Sequence, residues 1–149
     1  KIINISKGGY TVKRIIKDYK KEILASKSDL YVVALGINDI RYRKKDTCAM
    51  NGQDYVNDIE ELIKLIKKSN KKAKIVLIPP WTTLPGDKSC VVDETTKVDL
   101  INSFSDNLKK YADKNGYVYI NPNKYLNEFF EENPSVAKII LEKQTTSKS

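Results

Sequence analysis

Short, continuous apolar runs alternate along this chain with longer stretches in which apolar residues recur every three or four positions, and this alternation constrains the fold more than any other feature. A run such as residues 30–35 has no polar face, as expected of a strand covered on both sides. The stretches between have one apolar stripe each, as expected of helices lying on a sheet. Parallel strands need such crossovers, so the pattern predicts an α/β fold with a parallel sheet wrapped by helices. Strands are predicted over residues 2–6, 30–35, 73–78 and 117–120. A first helix starts at about Thr11, a good N-cap, and buries Ile15, Ile16, Tyr19, Ile23 and Leu24. A second covers about 53–69 with Val56, Ile59, Leu62, Ile63 and Ile66 inward. A third begins near Glu94 and uses Val98, Ile101, Phe104, Leu108 and Tyr111. A last one runs over 125–130 and is interrupted by Pro134. Pro79 and Pro80 stop the third strand, and Asn115-Gly116 turns the chain into the fourth.

With 149 residues the chain makes one domain, expected over 1–143, followed by a polar, frayed tail over 144–149. Lys and Arg total 27 against 19 Asp and Glu, a formal charge of +8. The lysines fall on the outer faces of separate helices, as in Lys17, Lys20 and Lys21 or Lys64, Lys67 and Lys68, without interleaved aromatic residues, so no nucleic-acid partner is expected. With no His and no paired Cys spacing, neither a metal nor another cofactor is expected. Cys48 and Cys90 each follow a predicted strand and could meet as a disulfide or remain thiols. The compartment therefore stays open between cytoplasm and cell surface. No apolar run reaches membrane-spanning length, and no signal peptide opens the chain. Lys1 leads straight into an apolar run without an initiator Met, which points to a removed upstream segment.

Ligands of open parallel sheets bind beyond the carboxyl ends of the strands. Three such places carry notable residues: Ser6-Lys7-Gly8-Gly9-Tyr10-Thr11, Gly36-Ile37-Asn38-Asp39 and Pro79-Pro80-Trp81. Gly8-Gly9 can present backbone N–H groups to an anion or a developing oxyanion, or can simply make a strand-to-helix turn; the Gly-Lys-Ser/Thr ending of a phosphate loop is missing. Asn38 can donate its carboxamide N–H to a substrate oxygen while Asp39 braces the loop, or the pair can form an Asx turn. Taken together, a backbone donor after one strand and an Asn donor after the next match a two-donor oxyanion hole.

The segments Asn4-Ile5-Ser6-Lys7-Gly8-Gly9-Tyr10-Thr11 and Leu35-Gly36-Ile37-Asn38-Asp39 resemble the second and third conserved blocks of SGNH/GDSL hydrolases. The extension Ile40-Arg41-Tyr42-Arg43, with Cys48-Ala49-Met50 and Tyr119-Ile120-Asn121-Pro122-Asn123, is similar to bacterial members associated with cell-surface polysaccharides. The resemblance implies a flavodoxin-like three-layer sandwich, Gly9 and Asn38 as the oxyanion hole, and Asp39 in support. It also implies an esterase or O-acyltransferase acting on acyl esters, acetyl foremost, of carbohydrate. Arg41 and Trp81 are then candidates for substrate binding, with solvation of the Arg and loop anchoring by the Trp as the alternatives.

Two blocks of the family pattern are missing. Gly-Asp-Ser, the family's nucleophile block, is expected upstream of Lys1. Asp-x-x-His is expected between about 135 and 144, where the chain reads Val136-Ala137-Lys138-Ile139-Ile140-Leu141-Glu142-Lys143. Adjacent Ser6 and Lys7 would point to opposite faces of a strand and so do not make a replacement dyad. In the family's sheet order the missing first strand lies between the chain's own first two, so the fold is expected to be incomplete. Either an upstream segment or partner supplies that strand, or residues 2–6 pair directly with 30–35. A non-catalytic carbohydrate-binding or interaction domain of the same fold is the alternative function, and polyanion binding driven by the +8 charge is a third.

Overall fold

The computed structural model describes residues 1–42, 51–81 and 97–146, with side chains over 1–40, 51–81 and 97–140. In chain order the elements are α1 (Val12–Asp18), α2 (Lys20–Ser26), β1 (Leu30–Ala34), α3 (Ile37–Tyr42), α4 (Gly52–Ser69), β2 (Lys74–Ile78), α5 (Lys97–Asn115), β3 (Val118–Tyr119), α6 (Asn123–Glu132) and α7 (Pro134–Thr146). The three strands form one parallel sheet in the order β1-β2-β3. Leu30 faces Lys74 and Ala34 faces Ile78 across the first pair; Val76 faces Val118 across the second.

Local chemistry accounts for three of the helix starts. Thr11 caps α1, its hydroxyl accepting from the Arg14 N–H. Asn51 does the same for α4 through the Asp54 N–H at 2.8 Å, and Lys67 and Lys68 sit in the last turn, where the helix dipole favours cations. Pro134 opens α7, at the helix position where its missing N–H costs nothing, rather than merely interrupting a helix. The first predicted helix is two, α1 and α2, divided at Tyr19; nothing in the local sequence explains the break.

Strand side chains alternate between faces, so Tyr31, Val33, Ile75, Leu77 and Tyr119 share one face. That face forms a single core with α1, α2, α4 and α5, around Ile15, Ile23, Ile59, Leu62, Phe104 and Leu108. Gly52 lies where α4 meets α5: a Cβ there would stand 2.4 Å from Asn107 Nδ2 and 2.6 Å from the Ser103 carbonyl oxygen. The other face holds Leu30, Val32, Val76 and Val118, continued by Ile120. Leu30, Val32, Val118 and Ile120 are 51–60% exposed. Among the described residues no helix covers this face, so only two of the three expected layers are present.

The predicted strand over 2–6 is not formed. Residues 1–7 are irregular, and Ile2 and Ile3 are exposed. A strand exists through its ladder to a neighbour. β1 pairs with β2 on one side and, among the described residues, with nothing on the other. Direct pairing of residues 2–6 with β1, one of the two expected alternatives, is thus excluded.

Candidate active site

Parallel register brings the exits of β1 and β2 to one edge of the sheet, and the loops leaving that edge touch. A Cβ built on Gly36 would lie 3.2 Å from Pro80 Cδ. Gly36 has φ +131°, a backbone conformation open to glycine and strained for other residues. Its carbonyl accepts from the Asp39 and Ile40 N–H groups at 3.1 and 3.3 Å, starting α3. The segment, for which an Asx turn was the alternative reading, is therefore the first turn of a short helix, with Asn38 and Asp39 inside it.

This turn is fastened to the Gly9 loop at two points. Asp39 is buried, and both its carboxylate oxygens accept from the Val12 N–H, at 3.2 and 3.3 Å. A charged acceptor on a buried backbone donor contributes about 1.5–3 kcal/mol. Beside it, Asn38 donates one carboxamide N–H to the Tyr10 carbonyl at 3.1 Å. The Tyr10 N–H closes a turn onto the Lys7 carbonyl at 3.4 Å, and Gly9 within that turn has φ +77°. Arg14 stacks over the Tyr10 ring at 4.5 Å, with Tyr19 against it at 6.0 Å. Among the described residues nothing accepts from the Gly9 N–H.

Asn38 thus reaches the carbonyl of Tyr10, the residue after Gly9, and Asp39 reaches the Val12 N–H two residues further on. Trp81 follows the buried Pro79 and Pro80 at the same sheet edge and is 53% exposed. Arg41 lies in α3, its side chain outside the described residues, as are Arg43, Cys48 and Cys90. Ser6 and Lys7 are both exposed, with no hydrogen bond between their side chains among the described residues. No group of His, Cys, Asp and Glu suited to a metal occurs among the described residues, and no described helix is long and apolar enough to cross a membrane.

Two more residues fasten this region: Tyr55, which went unread in the sequence, and Asn123, which entered only within the 119–123 segment of the resemblance. Tyr55 of α4 is fully buried and donates its hydroxyl to the Leu35 carbonyl at 2.8 Å. Burial, reinforced by Asp39 and Tyr119, pushes its phenol well above 10, so it stays a neutral donor. Its place four residues before Ile59 extends that helix's apolar spacing back by one turn, a signal that marks it as inward-facing. Asn123, at the start of α6, donates to the Pro80 carbonyl at 2.9 Å and ties the β3 exit to the β2 exit. Its position just past a strand end is the available signal there.

The solved structures similar to this chain share its architecture. A GDSL-like lipase from Parabacteroides merdae superposes with a TM-score of 0.67 at 19% identity, over 85% of this chain and 57% of that one. An acetyl xylan esterase gives 0.69 at 21%, over 92% and 66%. An acetylxylan esterase from Geobacillus stearothermophilus gives 0.60 at 17%, over 83% and 54%. The chain thus spans between 54% and 66% of the length of these structures. No protein of curated function matches the sequence. The family model of the GDSL-like lipase/acylhydrolases matches residues 1–137, and the chain belongs to that family.

Proposed function

We propose that this chain carries the oxyanion-binding part of a serine esterase that removes acyl groups, acetyl foremost, from carbohydrate. The observation that carries the reading is the Asn38 carboxamide. One of its two N–H groups is held by the Tyr10 carbonyl, which leaves the other for a substrate oxygen beside the Gly9 N–H. In the reaction a serine hydroxyl attacks the ester carbonyl, and a histidine takes its proton and returns it to the leaving alcohol. Gly9 and Asn38 hold the negative charge that develops on the carbonyl oxygen. Asp39 keeps the turn in place, and Arg41 and Trp81 contact the sugar. Two of the similar structures are acetyl xylan esterases, which supports a carbohydrate ester as substrate. Transfer of the acyl group to a second hydroxyl is the same chemistry with a different acceptor.

The serine and histidine come from outside these 149 residues, which contain no His. The edge of β1, unpaired among the described residues, fits this arrangement. A strand paired there in parallel ends beside Gly36, so a residue at its carboxyl end arrives next to Asn38. The open face carrying Leu30, Val32 and Val118 would then be covered by the same segment.

The lack of His favours one rival, a non-catalytic carbohydrate-binding domain of the same fold. Intact mass of the full-length protein before and after a serine-reactive fluorophosphonate separates the two, read alongside acetate release from acetylated xylan. A single adduct with acetate release is the expected result. No adduct and no release would leave the binding domain.

A further inference from the structure

We propose that Tyr55 is a positioning residue for the oxyanion hole, setting the turn that carries Asn38 from beneath. The inference rests on the esterase reading above.

Tyr55 belongs to α4, yet its hydroxyl reaches the strand exit and donates to the Leu35 carbonyl at 2.8 Å. Leu35 is the first residue past β1, where the ladder to β2 has ended. The ring lies directly against the next residue: a Cβ on Gly36 would stand 2.9 Å from Tyr55 Cε2 and 3.1 Å from Cζ. It cannot swing aside, because Phe104 of α5 stacks on it with centroids 4.4 Å apart and planes within 9°. Pro80 Cδ crowds the same point at 3.2 Å. Phe104, Tyr55 and Gly36 therefore form a packed column, and the Gly36 carbonyl at its top begins the turn in which Asn38 sits.

A buried tyrosine hydroxyl needs an acceptor, and here the acceptor is the carbonyl next to Gly36, whereas phenylalanine would fill nearly the same space and leave that carbonyl without this donor. Displacing the turn by a fraction of an ångström moves the Asn38 carboxamide relative to the Gly9 N–H. Catalytic geometry is sensitive on that scale, with misplacement by about 1 Å costing up to about a hundredfold.

The test uses the full-length protein and a chromogenic acetate ester. Tyr55→Phe should lower kcat by about tenfold and leave KM within about twofold, because the hole acts in the transition state. Built into Asn38→Ala, the same substitution should cost less than about twofold more, since its effect passes through Asn38. A Tyr55→Phe enzyme with unchanged kcat, or losses that multiply in the double variant, would overturn the role. Should Tyr55→Phe not fold, 4-fluorophenylalanine at this position fills the volume of the hydroxyl without a proton to donate, and the same outcomes apply. If the unaltered protein takes no fluorophosphonate and releases no acetate, the esterase reading fails and this role falls with it. Normal hydrolysis, a slow Asn38→Ala and an unimpaired Tyr55→Phe would remove the positioning role alone.

Discussion

Replacing Asn38 by alanine separates what this residue does for the fold from what it does for the reaction. For the fold, the variant loses one half-buried neutral hydrogen bond, the 3.1 Å contact to the Tyr10 carbonyl. Such a bond contributes about 0.5–1.5 kcal/mol. In a domain of this size each kcal/mol moves the melting temperature by about 2–4 °C, so a fall of roughly 1–6 °C is expected. For the reaction, the second N–H is the one at stake, and losing an oxyanion donor costs about 2.7–4 kcal/mol, a factor of roughly 100 to 1,000 in kcat. KM should barely move, because the bond to the oxygen strengthens only as charge develops there. Steady-state kinetics on a chromogenic acetate ester and a thermal melt of the full-length protein give both numbers. A melting temperature lowered as expected, with kcat within about threefold of the parent, would reduce Asn38 to a brace between two loops and refute the oxyanion assignment.

Gly36→Ala should place a methyl against the Tyr55 ring at a φ of +131°, costing about 1–3 kcal/mol each for strain and overpacking; urea denaturation measures the sum. Gly52→Ala should lower the melting temperature despite its better helix propensity, because its Cβ meets the Ser103 carbonyl at 2.6 Å; an unchanged melt would mean that α4 and α5 part freely. Alkali should destabilise the fold through Tyr111, which burial holds up at about 12, and through Tyr55. Both stay neutral in the folded state after unfolded tyrosines ionise near 10. Their stabilisation is therefore intact below pH 10 and lost as pH climbs towards 12, and tyrosinate absorbance should show a late-titrating class that merges with the rest in urea. Val32→Lys should change the stability of the 149-residue chain by less than about 0.5 kcal/mol but prevent folding of the full-length protein, if the serine-bearing segment covers that face; equal stabilities in the two settings would contradict the coverage.

The long helices and the two longer strands were legible because burial imposes a period on the sequence, whereas the sheet order was only implied by the family resemblance. β1, β2, α4 and α5 all lie within a few residues of where their apolar spacing places them. Residues 2–6 have the same apolar character as β1 but no strand, since pairing depends on a neighbour that their own sequence cannot supply. α3 was hidden for a different reason: six residues hold fewer than two turns, too little for a period to show. Of the candidate residues, Asn38 and Asp39 could be named from their place after β1, and Gly9 from the family block that its segment resembles. Their fastening could not, because the Val12 N–H and the Tyr10 carbonyl are backbone groups that any side chain could accompany. Tyr55 was missed because it serves a strand exit 20 positions earlier in the chain.

The sheet face that the described residues leave uncovered also sets how this 149-residue chain behaves in solution at high concentration. Its formal charge of +8 pushes molecules apart, while the Leu30, Val32, Val118 and Ile120 patch draws them together. Repulsion reaches only as far as the ionic atmosphere allows, about 8 Å at 0.15 M salt and about 3 Å at 1 M, whereas apolar contact is not screened. Added salt therefore turns a colloid stabilised by charge into one that self-associates face to face, and low ionic strength is the condition in which it stays dispersed.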